Sequence, residues 1–586
     1  MTCDGRSWDR NTFLAKEQLR NNVLPCDPLF TRLLSLAHRS VQRPAIRDVN
    51  TKIEKTHAEL LGDALVFREI LRSSLRSETL QALNNGEEVY ISLVAAGGYE
   101  FAVAILAILA LGAAASPFSP AQPVQEACYY VNKARSVAVV CSTAALNVGQ
   151  HLAAEIARTT DPSFVCVPVT LSSARQHAAP KDLVVASDGY RDLNQPGIVI
   201  FTSGTTGPPK GGVLPLAAIT DGALSFAEQL RFQDTDTVQH LLPVHHATGI
   251  WVTFFAPLLA GACIEFKSGS FDPAWTWDRW RKGGITYFSG VPTIYMRMMR
   301  YYQEILSKRP PHELAAYRDA ASKLRAALCG TSALPKPIND FWTALMNGRG
   351  IIQRYGSTEQ GVIFNMSFEP DPTLPDGSIG EKCPGVQVRL SEGEEGEILT
   401  KSFYMFSKYV HDAEATKKAF DAAGYFKSGD VARREGKYYF IVGRASVDII
   451  KSGGYKISAL DVEREILALP YIDEVMVVGV SDEEYGQRVA AVVSLSGSEV
   501  ARKFLNEHGR SLTSLALEHL RDDVRHRLAA YKLPTLLHVI SGEIPKSATN
   551  KVVKKSLGPH YFPQNHTSLP DVQSWQPTAK SPKARL

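Results

Sequence analysis

Residues 198–211 read IVIFTSGTTGPPKG, an apolar strand that runs into a loop of threonine, serine, glycine and proline with one lysine, Lys210. That composition suits a polyphosphate: glycines let the backbone approach, N–H groups and hydroxyls donate to phosphate oxygens, and the lysine neutralises charge. The loop is not of the Walker A type, which needs Gly before its lysine and Ser or Thr after it. Here Pro209 precedes Lys210 and Gly211 follows it. A second stretch, RYGSTEQG at 354–361, sets Thr358 beside Glu359. A hydroxyl next to a carboxylate in a turn suits a nucleotide bound with Mg²⁺, a hard cation held by one or two carboxylates plus phosphates. Taken alone, a Thr-Glu pair is also a common helix start. A third stretch, EIPKSATNKVVKK at 543–555, is rich in lysine and by charge alone would be a solvated face.

These groups need a scaffold. The chain has 586 residues, enough for two to four domains. From about residue 50 to 440, short apolar runs alternate with longer helical patterns. Strands are expected at Val89–Ala95 and Ser136–Cys141, each followed by a helix, near 100–112 and 144–158. An earlier helix is expected near Leu29–His38. Such alternation indicates α/β layers. The Pro- and Asp-rich stretch 366–377 reads as a surface loop. After a boundary near Gly443–Asp448 comes a compact unit: a helix near 458–467, strands near 474–480 and 489–495, and a helix near 513–528.

Bulk properties exclude several classes. A net charge of +4 on 586 residues is too small to argue for nucleic acid. The eight cysteines form no CxxC pair, so neither a zinc site nor a disulfide framework is indicated, and reduced intracellular thiols are expected. The N-terminus carries Asp4, Asp9 and Glu17 and lacks the apolar stretch of a secretory signal. The apolar run Phe101–Ala115 is too short to span a bilayer and reads as a buried helix.

In order along the chain, 198–211, 354–361, YFKSGDVARREGKYYFIVGRASVDIIKSGGYKIS at 425–458 and 543–555 resemble the motifs of the adenylate-forming (AMP-binding) enzymes: acyl-CoA synthetases, luciferases and the adenylation domains of peptide synthetases. The resemblance implies their fold: α/β, with a large multi-layer N-terminal domain of mixed sheets (1–443), a hinge (444–448) and a small mobile α+β C-terminal domain (449–560). The Pro-, Ser- and Gln-rich segment 561–586 is expected to be a disordered tail.

The resemblance also implies site roles. Thr202, Ser203, Gly204, Thr205, Thr206, Gly207 and Lys210 would bind the β- and γ-phosphates of ATP. Gly330, Thr331 and Ser332, in CGTSALP, would line the adenine and acyl pocket. Tyr355 would stack on adenine beside Gly356, Thr358 would contact the α-phosphate, and Glu359 would reach Mg²⁺. Asp430 would accept both ribose hydroxyls, Arg444 would contact ribose or phosphate, and Lys551 would be the catalytic lysine. Gly453, Gly454 and Tyr455 would face the pantetheine channel of coenzyme A. Three departures stand out: Pro215–Leu216 replaces a usual Thr-His pair, Ala445–Ser446–Val447–Asp448 is one residue longer than the common hinge, and Asn550 replaces the glycine before the catalytic lysine.

The implied reaction activates a carboxylic acid with Mg-ATP to an acyl-adenylate, then transfers the acyl group to coenzyme A. GVPTIYMRMMRYYQE (290–304), PGVQVRL (384–390) and GRASVDIIKSGGYKISALDVE (443–463) resemble the malonyl-CoA synthetase-like branch, including the acyl-CoA synthetase family member 3 group. This implies Arg297 as a clamp for the distal carboxylate of a short diacid; an arginine on a helix surface is the other reading. His246 would border the acyl channel. The last residues, Ala584–Arg585–Leu586, resemble a relaxed SKL-type address read by a peroxisomal import receptor, which points instead to a fatty or specialised-metabolite acid; otherwise a cytoplasmic location is expected. An adenylation enzyme serving a carrier protein is a further alternative.

Overall fold

The computed structural model describes residues 22–171, 180–187, 189–202, 208–330, 334–444, 447–511, 515–546, 552–566 and 569–575. Two large mixed sheets build the N-terminal unit. In the first, the strands Pro196–Thr202, Ala114–Phe118, Tyr90–Val94, Ala138–Cys141 and Val165–Pro168 lie parallel in that order, and Lys210–Pro215 and Lys408–Tyr409 extend one edge antiparallel. In the second, Ile352–Ser357, Ala326–Cys329, Tyr287–Gly290, Thr237–His240, Cys263–Phe266 and Pro44–Asp48 are parallel neighbours in that order, with antiparallel strands added at both edges. Strands covered on both faces need no polar side, which is why YISLV and AVVC are buried throughout.

The apolar run is the helix Tyr99–Leu111, buried along its length from Phe101 onward. Phe101 meets Phe254 edge-on at 5.3 Å. A helix apolar all round belongs inside a core, and its left-handed end falls on Gly112, where glycine carries no Cβ penalty. Among the described residues no helix is long and apolar enough to cross a membrane.

A four-stranded antiparallel sheet, Gln387–Glu392, Glu395–Lys401, Phe426–Glu435 and Tyr438–Arg444, ends at the first residue of the expected hinge. Beyond it, Ile472–Asp482 and Gly486–Leu495 form a long hairpin, Leu536–Ile540 joins it parallel, and the helix Ala459–Leu467 packs against it, capped by Ser458. The expected tail needs correction. Val572–Ser574 pairs antiparallel with Leu536–Ile540 as an outer strand, and Trp575 lies against Arg521 at 4.0 Å. Composition suggested disorder, but Gln573 accepts the N–H of Leu517 at 2.6 Å and ties this strand to the domain. The small unit therefore reaches Trp575. Residues 576–586 lie outside the described set.

The candidate active site

In open α/β sheets, ligands bind beyond the carboxyl ends of the parallel strands. Several candidate residues sit there. Thr202 closes the strand Pro196–Thr202, Gly330 follows Ala326–Cys329, and the helix Pro292–Glu304, which carries Arg297, follows Tyr287–Gly290. His246 stands six residues after the end of Thr237–His240.

Where the phosphates are expected, Thr202 and Lys210 are cross-strand partners, so the two ends of the glycine loop are held together. Tyr129 donates its hydroxyl to the Pro209 carbonyl at 2.9 Å. Gly211 must lack a side chain, because a Cβ there would lie 2.7 Å from Val410 and 2.8 Å from Val199. Glu359 is buried in the turn between two strands. Its Oε1 accepts from the Tyr409 hydroxyl at 3.1 Å and from Thr202 Oγ1 at 3.4 Å. Lys210 Nζ is 5.1 Å from the centre of the Tyr409 ring. Thr358 stands over Gly212, its methyl 3.5 Å from where a Cβ would be. Gly356 is required by the tight turn: a Cβ would fall 1.9 Å from the Gly361 carbonyl oxygen.

Where the nucleoside is expected, Asp430 is bound through both oxygens. Oδ2 accepts from the Tyr355 hydroxyl at 2.6 Å and Oδ1 from Arg444 Nε at 3.0 Å. Gln360 donates to the Tyr355 oxygen at 3.3 Å and is itself oriented by Thr400 at 3.0 Å. Burial, and then the neighbouring Asp430 charge, hold the Tyr355 phenol well above its ordinary pKa, so it stays a donor.

Among the described residues no three metal-ligating side chains converge. The hard-oxygen donor is Glu359, 9% exposed between two hydroxyls. That fits Mg²⁺, which keeps several waters and completes its shell with phosphates, and not a metal needing an all-protein cage.

Where the acid is expected, the helix bearing Arg297 is fixed from below by tryptophans. Trp277 Nε1 donates to the Met298 carbonyl at 3.1 Å and Trp342 Nε1 to that of Tyr295 at 3.3 Å, and the two indoles stack at 5.6 Å. Arg297 is exposed, with its guanidinium 5.1 Å from the Phe271 ring and bonded to the Phe271 carbonyl at 3.3 Å. His246 packs on His245 at 4.6 Å. Gly453 and Gly454, both at positive φ, make the turn between Ile449–Ser452 and Tyr455–Ser458, and Tyr455 stacks on Tyr531 at 4.3 Å.

Thus Thr202, Lys210 and Glu359 form one cluster, and Tyr355, Asp430 and Arg444 another. Arg297 makes its contacts with Phe271, and Tyr455 with Tyr531. Ser203, Gly204, Thr205, Thr206, Gly207, Thr331, Ser332 and Lys551 lie outside the described residues. Sequence reading missed Tyr409, Gln360 and the tryptophans; Tyr409 lies 50 residues from Glu359, and no spacing rule joins them.

The AMP-binding enzyme model matches residues 47–410, and the AMP-binding enzyme C-terminal domain matches 461–551. The chain belongs to the AMP-binding enzyme family. Within this family, a CoA ligase of Gibberella moniliformis is 34% identical over 532 residues, 80% of this chain and 84% of that protein. The mitochondrial malonate–CoA ligase ACSF3 of Homo sapiens is 32% identical, with 92% of each chain covered. Among solved structures, ATP-bound MatB from Rhodopseudomonas palustris shares the fold at a TM-score of 0.72, with 22% identity over 91% of this chain and 99% of that one.

Proposed function

We propose that this AMP-forming acid–CoA ligase activates a short dicarboxylic acid, of which malonate is the first candidate. The observation that carries the reading is the paired arrangement of the two nucleotide clusters. Lys210 and the Thr202 hydroxyl would meet the polyphosphate, Glu359 would hold Mg²⁺, and Asp430 would take the ribose diol with Arg444 beside it. Attack of a carboxylate on the α-phosphate is chiefly a matter of positioning and charge. Lys551 would supply the remaining positive charge for acyl-adenylate formation, and thiol attack with loss of AMP would follow at the Gly453–Tyr455 face.

Substrate choice rests on Arg297 and on the malonate–CoA ligase named among the relatives. A guanidinium on a helix that two tryptophans hold rigid is suited to pair with a distal carboxylate. The test is CoA-dependent AMP release with Mg-ATP and a panel from malonate and methylmalonate through hexanoate, octanoate and palmitate to aromatic acids. Preference for the short diacids supports the reading; preference for monoacids replaces it with a fatty or specialised-acid ligase.

A further inference from the structure

Lys554 lies three residues beyond Lys551 and begins the helix Lys554–Tyr561. A lysine at a helix start is ordinarily solvated, yet this side chain is 12% exposed. Its ammonium donates to Asp448 Oδ1 at 2.6 Å and pairs with Glu463 Oε1 at 2.7 Å. Glu463 also accepts the Val477 N–H at 2.7 Å. Asp448 is the last residue of the expected hinge. Its Oδ2 accepts the Arg444 N–H at 3.0 Å, and its carbonyl accepts the Ala459 N–H at 2.7 Å. Gly443 completes the fit, because a Cβ there would stand 2.5 Å from that of Asp448.

Two carboxylates and one ammonium buried together are a poor way to gain stability; the best-attested use of such a cluster is to specify one arrangement. The arrangement here is specific. From the nucleoside side the bonds run Tyr355 to Asp430 at 2.6 Å, Asp430 to Arg444 at 3.0 Å, Arg444 to Asp448 at 3.0 Å and Asp448 to Lys554 at 2.6 Å. Arg444 serves twice, through its guanidinium and through its backbone N–H. The other side of the lysine segment is held separately, by the Lys546–Glu474 ion pair and by the Lys546–Val552 bridge.

We propose that Lys554 is a positioning residue for the first half-reaction: it fastens the segment that carries Lys551 to Asp448, and through Arg444 to the Asp430 that takes the ribose. This rests on the proposed role of Lys551. The loss expected on cutting the tie is that of a misplaced catalytic group, tenfold or more in rate, not that of a lost ligand contact.

The test uses the full chain. Lys554→Gln, Lys554→Arg, Asp448→Asn and the double variant Lys554→Gln/Asp448→Asn are compared in acid-dependent ATP–pyrophosphate exchange and in thioester formation from supplied acyl-adenylate, with Lys551→Ala as reference. Lys554→Gln should slow exchange about tenfold or more, leave the KM for ATP within about twofold and spare thioester formation. Lys554→Arg should restore most of the rate. The double variant should cost no more than the worse single one, because both remove the same tie. Equal loss in both half-reactions, additive losses, or unchanged exchange with Lys554→Gln overturns the proposal. If Lys551→Ala itself leaves exchange intact, the underlying assignment of Lys551 fails instead. Should Lys554→Gln fail to fold, Asp448→Asn against wild type decides by the same split.

Discussion

Asp430 and Arg444 face each other across an antiparallel strand pair, and Arg444 Nε donates to Asp430 Oδ1 at 3.0 Å. The ion pair does more than join two strands. With the Tyr355 hydroxyl on the other oxygen at 2.6 Å, it fixes the plane of the carboxylate proposed to take the ribose diol. Preorganised acceptors lose less ordering entropy on binding.

Asp430→Asn should therefore weaken ATP more than it slows chemistry. A hydrogen bond to a charged group contributes about 1.5–3 kcal/mol, so the KM for ATP should rise by roughly 10- to 100-fold. Steady-state kinetics with varied ATP at saturating acid checks this. A fall in kcat at unchanged KM would place Asp430 outside the nucleotide site.

Tyr409 is the residue that orients Glu359. Tyr409→Phe keeps the ring beside Lys210 and deletes the 3.1 Å bond to the carboxylate. The expected cost is about 1 kcal/mol, roughly fivefold, read as a higher Mg²⁺ concentration for half-maximal rate. An unchanged Mg²⁺ dependence would separate Glu359 from the metal.

Arg297 offers a sharper discrimination. Arg297→Leu should lower kcat/KM for short diacids by about 10²-fold or more, on the scale of losing a paired charge, while activity with monoacids of similar length is kept or gained. Its guanidinium lies on Phe271 and is exposed, so stability should change little. Parallel loss with both acid classes would make it a surface arginine.

Acid should destabilise the fold through buried imidazoles. Burial holds His57 and His240 down to about 4, each with Nε2 on a backbone carbonyl, Leu258 at 3.2 Å and Gly249 at 2.8 Å. Unfolded histidine titrates near 6.5. Between about pH 6.5 and 4 the unfolded chain binds more protons, so the stability is full above that window and is lost as pH falls through it. At pH 5 each contributes about 2 kcal/mol of loss. Thermal midpoints at pH 7 and pH 5 should differ less in His57→Gln than in wild type; an identical difference would clear His57.

The alternation of strands and helices, the buried helix Tyr99–Leu111 and the compact unit after Asp448 were all legible, because burial on two faces or on one leaves its period in the chain. The candidate residues of the site could be named for the same kind of reason: a glycine-rich loop with one lysine, a Thr-Glu pair and a carboxylate expected to take a diol are local patterns. The strand Val572–Ser574 was not, since composition carries no information about an open edge on Leu536–Ile540 waiting to be paired.

What the sequence by itself determined is therefore which groups are present and on which elements they ride. Only the tertiary structure decided which of them meet. Asp430 reaches Tyr355 across 75 residues, Tyr409 reaches Glu359 across 50, and Lys554 reaches Asp448 across 106. Trp277 and Trp342 converge from separate helices beneath the one that carries Arg297. The physical reason is that hydrogen bonds and ion pairs act over a few ångströms of space, whatever the separation along the chain. Sheet order and crossover connections set that space, and they are settled by the packing of the whole core.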